Sequence, residues 1–197
     1  MILVGEKESE KLEIIKAFIE DEEFSRSYAS KTIKVNNKNV KLNLHDTVTE
    51  ARYITEFKNF SSIKASVILL VYDITNKETF NQLKTKWYPE VKEYFPHAIK
   101  VLVANNIENF GMQKVTDEEA KKFAKEIKAH FYIVSTKEKY GVDELFEGVA
   151  KIFYSSKATL SDGKKQKGSA NKSKSNEKGQ SELELKKKDA KCCCLIA

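Results

Sequence analysis

Val67-Ile68-Leu69-Leu70-Val71-Tyr72 is an unbroken apolar run, and its reading decides what the rest of the chain can be. It is far too short to cross a bilayer. A continuous apolar run of this length reads instead as a strand buried on both faces, as in a parallel sheet. Val101-Leu102-Val103-Ala104 is a second run of the same kind. Around these strands, Thr79 to Tyr94 and Asp117 to His130 carry helical spacing, and Thr116 with Glu119 forms a capping box at the start of the second. Val142 to Tyr154 predicts a last helix, with Leu145, Phe146, Val149 and Phe153 on one face. Thr32–Val35 and Val40–His45, joined by Asn36-Asn37-Lys38-Asn39, predict a hairpin that supplies an antiparallel edge. Strands alternating with amphipathic helices make an α/β sheet.

The composition changes sharply after Lys157. The 197 residues carry a net charge of +6, and the stretch from Thr159 to Ala197 holds ten lysines against five acidic residues, leaving about +1 for everything before it. A Lys/Ser/Gly/Asn segment with almost no large apolar residues cannot offset its ordering entropy and is expected to be a flexible tether. The organisation expected is a folded body at 1–157, a tail at 158–191 and a terminal motif at 192–197. Met1-Ile2-Leu3-Val4 runs straight into a charged loop, which is not a signal-peptide pattern. The body has no cysteine, hence no disulfide framework, which suits a cytosolic protein. His45, His97 and His130 are scattered and form no catalytic constellation.

All three cysteines stand together in Cys192-Cys193-Cys194-Leu195-Ile196-Ala197, whose last four residues read as a C-a-a-X box. Lys186, Lys187, Lys188 and Lys191 lie just upstream. A lipidated thiol beside a lysine cluster is the two-signal arrangement that holds a protein on an anionic membrane surface. Three adjacent cysteines cannot easily wrap one tetrahedral ion, so a metal site is a poor alternative. A basic tail could also bind nucleic acid through phosphates, but the cysteines tilt the choice towards membrane.

Two segments resemble a known family. Val71-Tyr72-Asp73-Ile74-Thr75-Asn76-Lys77-Glu78-Thr79-Phe80 looks like the strand-to-helix passage of Ras-superfamily small GTPases. Thr116-Asp117-Glu118-Glu119-Ala120, Phe123-Ala124, Val134-Ser135-Thr136-Lys137 and Val142-Asp143-Glu144-Leu145-Phe146 resemble that superfamily's C-terminal third. Cys193-Cys194 near the terminus is similar to the doubly prenylated endings of Rab proteins. The resemblance implies a three-layer P-loop fold: a mostly parallel six-stranded sheet with one antiparallel edge strand, and about five helices. It also implies GTP or GDP as ligand, lipidation at Cys193 and Cys194 by the prenylation machinery, and prenyl-binding chaperones and effectors as partners. The expected protein is a monomer on the cytoplasmic face of intracellular membranes, with a cytosolic pool, acting in vesicle-mediated transport or membrane-surface signalling.

The nucleotide motifs depart from the family pattern. A phosphate loop needs G-x-x-x-x-G-K-[ST], so that backbone N–H groups reach the phosphates, lysine neutralises charge and a hydroxyl holds Mg²⁺. Gly5-Glu6-Lys7-Glu8-Ser9-Glu10-Lys11-Leu12 keeps Gly5 and Lys11, but Glu10 replaces the second glycine and Leu12 replaces the hydroxyl. In Asp46-Thr47-Val48-Thr49-Glu50, Asp46 is retained as a weak metal residue, Thr49 takes the place of a glycine, and Glu50 occupies the water-positioning site. The first switch is several residues short, and Thr32 is its only threonine. Asn105-Asn106-Ile107-Glu108 stands for the guanine motif Asn-Lys-x-Asp, and Ser135-Thr136-Lys137 for the loop after it. Asn105, Glu108, Ser135, Thr136 and Lys137 are therefore the base-side candidates. Reduced GTP/GDP affinity, poor Mg²⁺ binding and little hydrolysis are expected. The rival reading is a pseudo-GTPase adaptor that needs no nucleotide.

Overall fold

The computed structural model describes residues 1–20, 24–25, 28–47 and 65–162. Thr49, Glu50, the tail lysines and Cys193 and Cys194 lie outside the described residues. In chain order the elements are β1 (Ile2–Val4), α1 (Lys11–Ile19), β2 (Phe24–Ser25), β3 (Tyr28–Val35), β4 (Lys38–Asp46), β5 (Val67–Asp73), α2 (Lys77–Gln82), α3 (Tyr88–Tyr94), β6 (Ile99–Asn105), α4 (Asp117–Glu126), β7 (His130–Ile133) and α5 (Val142–Asp162). The strands form one sheet in the order β2-β3-β4-β1-β5-β6-β7. From β4 to β7 every pairing is parallel, and β3 alone of the six main strands runs the other way. The two-residue β2 adds a short rung outside β3.

The continuous apolar run is the middle of this sheet. All seven residues of β5 are buried, because helices cover both faces. Leu3, Leu69 and Val71 face α1 and α5, where Phe18 stacks on Phe146 with ring centroids 4.0 Å apart. Ile2, Val4, Ile68 and Leu70 face the other layer, where Tyr72, Phe80 and Phe123 form a chain of aromatic contacts. Helices on both faces of a largely parallel sheet complete the three layers expected. Among the described residues no helix is long and apolar enough to cross a membrane.

Four local details differ from the expectation. The hairpin is tighter and longer: β3 and β4 pair from Tyr28↔His45 to Val35↔Lys38, and the turn is Asn36-Asn37 alone. Both asparagines have positive φ, 48° and 61°, the conformation a two-residue turn requires and asparagine tolerates. The helix predicted from Thr79 to Tyr94 contains a π turn at Leu83–Trp87. Pro89 has no N–H to give the Thr85 carbonyl, which loosens the turn before it. The helix predicted to reach His130 ends at Glu126, since Lys128 turns left-handed at φ 54° and His130 starts β7. Only half of the capping box forms. The Glu119 N–H donates to Thr116 Oγ1 at 3.2 Å, while the Glu119 carboxylate accepts from Lys77 and Lys84.

Candidate nucleotide site

Open parallel sheets bind ligands beyond the carboxyl ends of their strands. Here β1, β5, β6 and β7 deliver Gly5, Asp73, Asn105 and Ser135 to that edge, and β4 brings Asp46. The loop from Gly5 to Lys11 joins β1 to α1. Gly5 has φ 153°, and a Cβ there would lie 2.3 Å from the Val71 carbonyl oxygen, so only glycine fits.

Lys11 is almost wholly buried. Its ammonium donates to the Gly5 and Glu6 carbonyls at 2.8 and 2.9 Å and lies 4.0 Å from Asp46. Burial lowers its pKa, with the carboxylates of Asp46, Glu6 and Glu8 opposing. Residues Lys7–Ser9 coil into a 3₁₀ turn. In it the Ser9 N–H donates to the Glu6 carbonyl at 3.2 Å and the Glu10 N–H to the Lys7 carbonyl at 3.1 Å. The Ser9 hydroxyl also donates to the Glu6 carbonyl, at 2.6 Å. Glu10 itself sits in the left-handed region at φ 57°, ψ 39°, a conformation costing a residue with a side chain roughly 1–2 kcal/mol.

The Glu6 side chain is held from a distant part of the chain. Trp87 Nε1 donates to Glu6 Oε1 at 2.9 Å, and the Lys86 ammonium lies 3.2 Å from the same oxygen. Both come from the π turn, about eighty residues away in sequence. No sequence signal announced this latch, although Trp87 is the single tryptophan of the chain.

The base side is braced differently. Asn105 is fully buried, and its Nδ2 donates to the Ser9 carbonyl at 3.2 Å, tying β6 to the phosphate loop. Glu108 accepts from the Ser135 hydroxyl at 2.6 Å, with the Lys137 ammonium 3.6 Å away. Burial alone would raise the Glu108 pKa, but the Ser135 hydroxyl, its own backbone N–H and Lys137 hold it below the usual carboxylate range. Ser135 in turn accepts from the Glu138 N–H at 3.1 Å. Thr136 is half-buried and Lys137 exposed. Asn106, buried and left-handed at φ 65°, was missed in the sequence except as a lost lysine. The Oδ1 atoms of Asn105 and Asn106 are buried without a hydrogen-bond partner.

The candidates thus fall into two groups. Gly5, Lys11 and Asp46 meet at the phosphate end, and Asn105, Glu108, Ser135 and Lys137 at the base end. Thr32 joins neither: it lies in β3 opposite Lys41, four rungs from the Tyr28↔His45 pair that ends the hairpin. A guanine nucleotide fits this set only in part. Two orphaned amide oxygens and a held carboxylate suit a base with N–H donors. The phosphate loop does not suit a polyphosphate, because the amides of Ser9 and Glu10 bond within the loop and Glu10 adds a carboxylate. Leu12 offers no oxygen to a cation, and among the described residues no three potential ligands cluster for a metal.

A family profile described as Ras, the Ras family, matches residues 1–155. The chain is 32% identical over 125 residues to the human Ras-related protein Rab-40B, covering 64% of this chain and 44% of that one. It is 30% identical over 160 residues to the Ras-related protein SEC4 of Saccharomyces cerevisiae, covering 77% of this chain and 73% of the relative. With Rab-1 of Theileria annulata it shares 28% identity over 160 residues, 77% and 72% of the two chains. It spans about half the length of the Rab-40 relatives it matches, 44% to 56%.

Proposed function

The chain belongs to the Ras family and is Rab-like, and from this we propose that it serves as a lipid-anchored membrane protein of vesicle-mediated transport with weakened nucleotide chemistry. Ras-family proteins bind GTP and GDP. In this member the body is held together largely without them: binding is weak, Mg²⁺ adds little, and hydrolysis is slow. The supporting observation is the phosphate loop, whose Ser9 and Glu10 amides donate to the loop's own carbonyls. Catalysis of phosphoryl transfer is mostly positioning and charge stabilisation, and a loop carrying Glu6, Glu8 and Glu10 opposes both.

The tail supplies the membrane half of the reading. Cys193 and Cys194 carry prenyl groups, and Lys186, Lys187, Lys188 and Lys191 add attraction to anionic lipid of about 1 kcal/mol each. The body then presents a protein surface to effectors on the cytoplasmic face of an internal membrane. A nucleotide-independent adaptor is the second reading. The latch from Trp87 and Lys86 to Glu6 favours it, since it fixes the loop without a ligand.

The test has two arms. Chemical extraction of the purified full chain should yield guanine nucleotide well below one equivalent, with single-turnover GTP hydrolysis far slower than in ordinary family members. Cys193→Ser/Cys194→Ser should move the protein from the membrane to the soluble fraction. Stoichiometric nucleotide with ordinary turnover would refute the first half, and unchanged membrane binding the second.

A further inference from the structure

The tip of the β3–β4 hairpin is far from the candidate nucleotide site. β4 carries Asp46 to the site edge, so its first residue, Lys38, lies about 27 Å away at ~3.3 Å per residue. At that end Lys34, Asn36, Asn37, Lys38, Asn39 and Lys41 are all exposed, while Val35 and Val40 among them are buried. Among the described residues, the helical layer holding Phe80 and Phe123 buries none of the hairpin.

No carboxylate balances this tip. From Phe24 to His45 the chain has five basic residues and no acidic one, although 29 of its 197 residues are acidic. Lys31 is already engaged, donating to the Phe18 carbonyl at 2.5 Å. Lys34, Lys38 and Lys41 form no ion pair with a described residue, whereas Lys16, Lys77, Lys84, Lys121 and Lys151 elsewhere on the body all do. Directly opposed residues of an antiparallel pair share a face. Thr32 opposes Lys41 and Lys34 opposes Asn39, so Lys34 and Lys41 are diagonal neighbours on one face. Lys38 opposes Val35 and belongs to the other face. Cations on both sides of a turn can all reach a plane laid across its tip, whereas a groove would engage one side only.

We propose that the hairpin tip, through Lys34, Lys38 and Lys41, rests on the anionic headgroups of the membrane surface and turns the site edge of the sheet away from the bilayer. This deepens the membrane half of the proposed function and rests on it. Lysine is a compact point charge on a flexible stem, which suits lipid phosphates and carboxylates that present no fixed geometry. From Lys34 to Lys41 there is no arginine and no aromatic residue, the groups on which nucleic-acid bases stack. Lipid is therefore favoured over nucleic acid. The tail holds the chain at the surface, and a second contact on the folded body fixes which side faces outward.

Partitioning of the full, unlipidated chain onto vesicles tests this, with phosphatidylcholine alone and with about one-third phosphatidylserine added. Lys34→Gln/Lys38→Gln/Lys41→Gln should lower partitioning onto the anionic vesicles at least tenfold. Lys92→Gln/Lys122→Gln/Lys125→Gln removes the same charge from exposed positions on α3 and α4 and should lower it less than threefold. In a chain with Cys192, Cys193 and Cys194 replaced by serine, a polarity-sensitive dye at Asn37→Cys should shift to the blue on anionic vesicles. The same dye at Phe110→Cys, exposed beyond the carboxyl end of β6, should not. Equal losses in the two triple variants, or equal shifts at the two dye positions, would overturn the proposal. So would retention on single-stranded RNA that needs the hairpin lysines while vesicle partitioning does not. No lipid on Cys193 or Cys194 enters these measurements, so failure of the tip contact and failure of the anchor are separate results.

Discussion

The base end and the phosphate loop of the candidate site are held in different ways: the first by side chains joining separate loops, the second by bonds within one loop. At the base end Asn105, Glu108 and Ser135 each brace the fold. Asn105 ties β6 to the phosphate loop, and Glu108 with Ser135 joins the loops that follow β6 and β7. At the phosphate end, the second glycine and the metal hydroxyl serve a ligand and little else. Glu10 and Leu12 occupy those positions, and the loop has closed on its own carbonyls. Lys11 bridges the contrast: its ammonium holds the loop carbonyls.

Substitutions sharpen that contrast. The largest effect is expected at Lys11→Met, which removes the ammonium that joins Gly5, Glu6 and the neighbourhood of Asp46. Deleting one partner of a buried charge pair costs about 3 kcal/mol, measurable by chemical denaturation without nucleotide. A loss below about 1 kcal/mol would mean that Lys11 is retained for phosphate after all.

Ser135→Ala comes next, with a cost of about 1.5 kcal/mol near neutral pH, the usual worth of a hydrogen bond to a charged group. Its pH dependence has a definite sign. The folded Glu108 pKa lies below its unfolded value of roughly 4.3. Its stabilisation is therefore complete above that value and fades as pH falls through the folded one. The gap between wild type and Ser135→Ala should close in the same window, and a gap independent of pH would detach Ser135 from Glu108.

Glu10→Gly has the smallest expected effect and the opposite sign. Relief of the left-handed backbone at φ 57° should stabilise the body by about 1 kcal/mol. Destabilisation would mean that the Glu10 side chain, and not its backbone, matters to the fold.

The sequence carried most of the architecture. The apolar run at Val67–Tyr72 identified the central strand, and the spacing at Val142–Tyr154 identified the helix packed across it. The boundaries it misread had local causes that periodicity does not register: paired left-handed asparagines at 36 and 37, Pro89 behind the π turn, and the left-handed Lys128. At the site, departures from the family motif were legible one residue at a time. Their consequence was not, because the closing of the loop depends on backbone hydrogen bonds and on Trp87 meeting Glu6 across about eighty residues.

Titration of fluorescent GDP into the full chain and into Glu10→Gly/Leu12→Ser, with and without Mg²⁺, addresses the phosphate end most directly. The unaltered chain should bind more weakly than ~10 μM, about 7 kcal/mol of binding free energy, with no gain from Mg²⁺. The double variant should bind at least tenfold more tightly and regain Mg²⁺ dependence. Nanomolar, Mg²⁺-dependent binding by the unaltered chain would contradict a loop that has closed on itself.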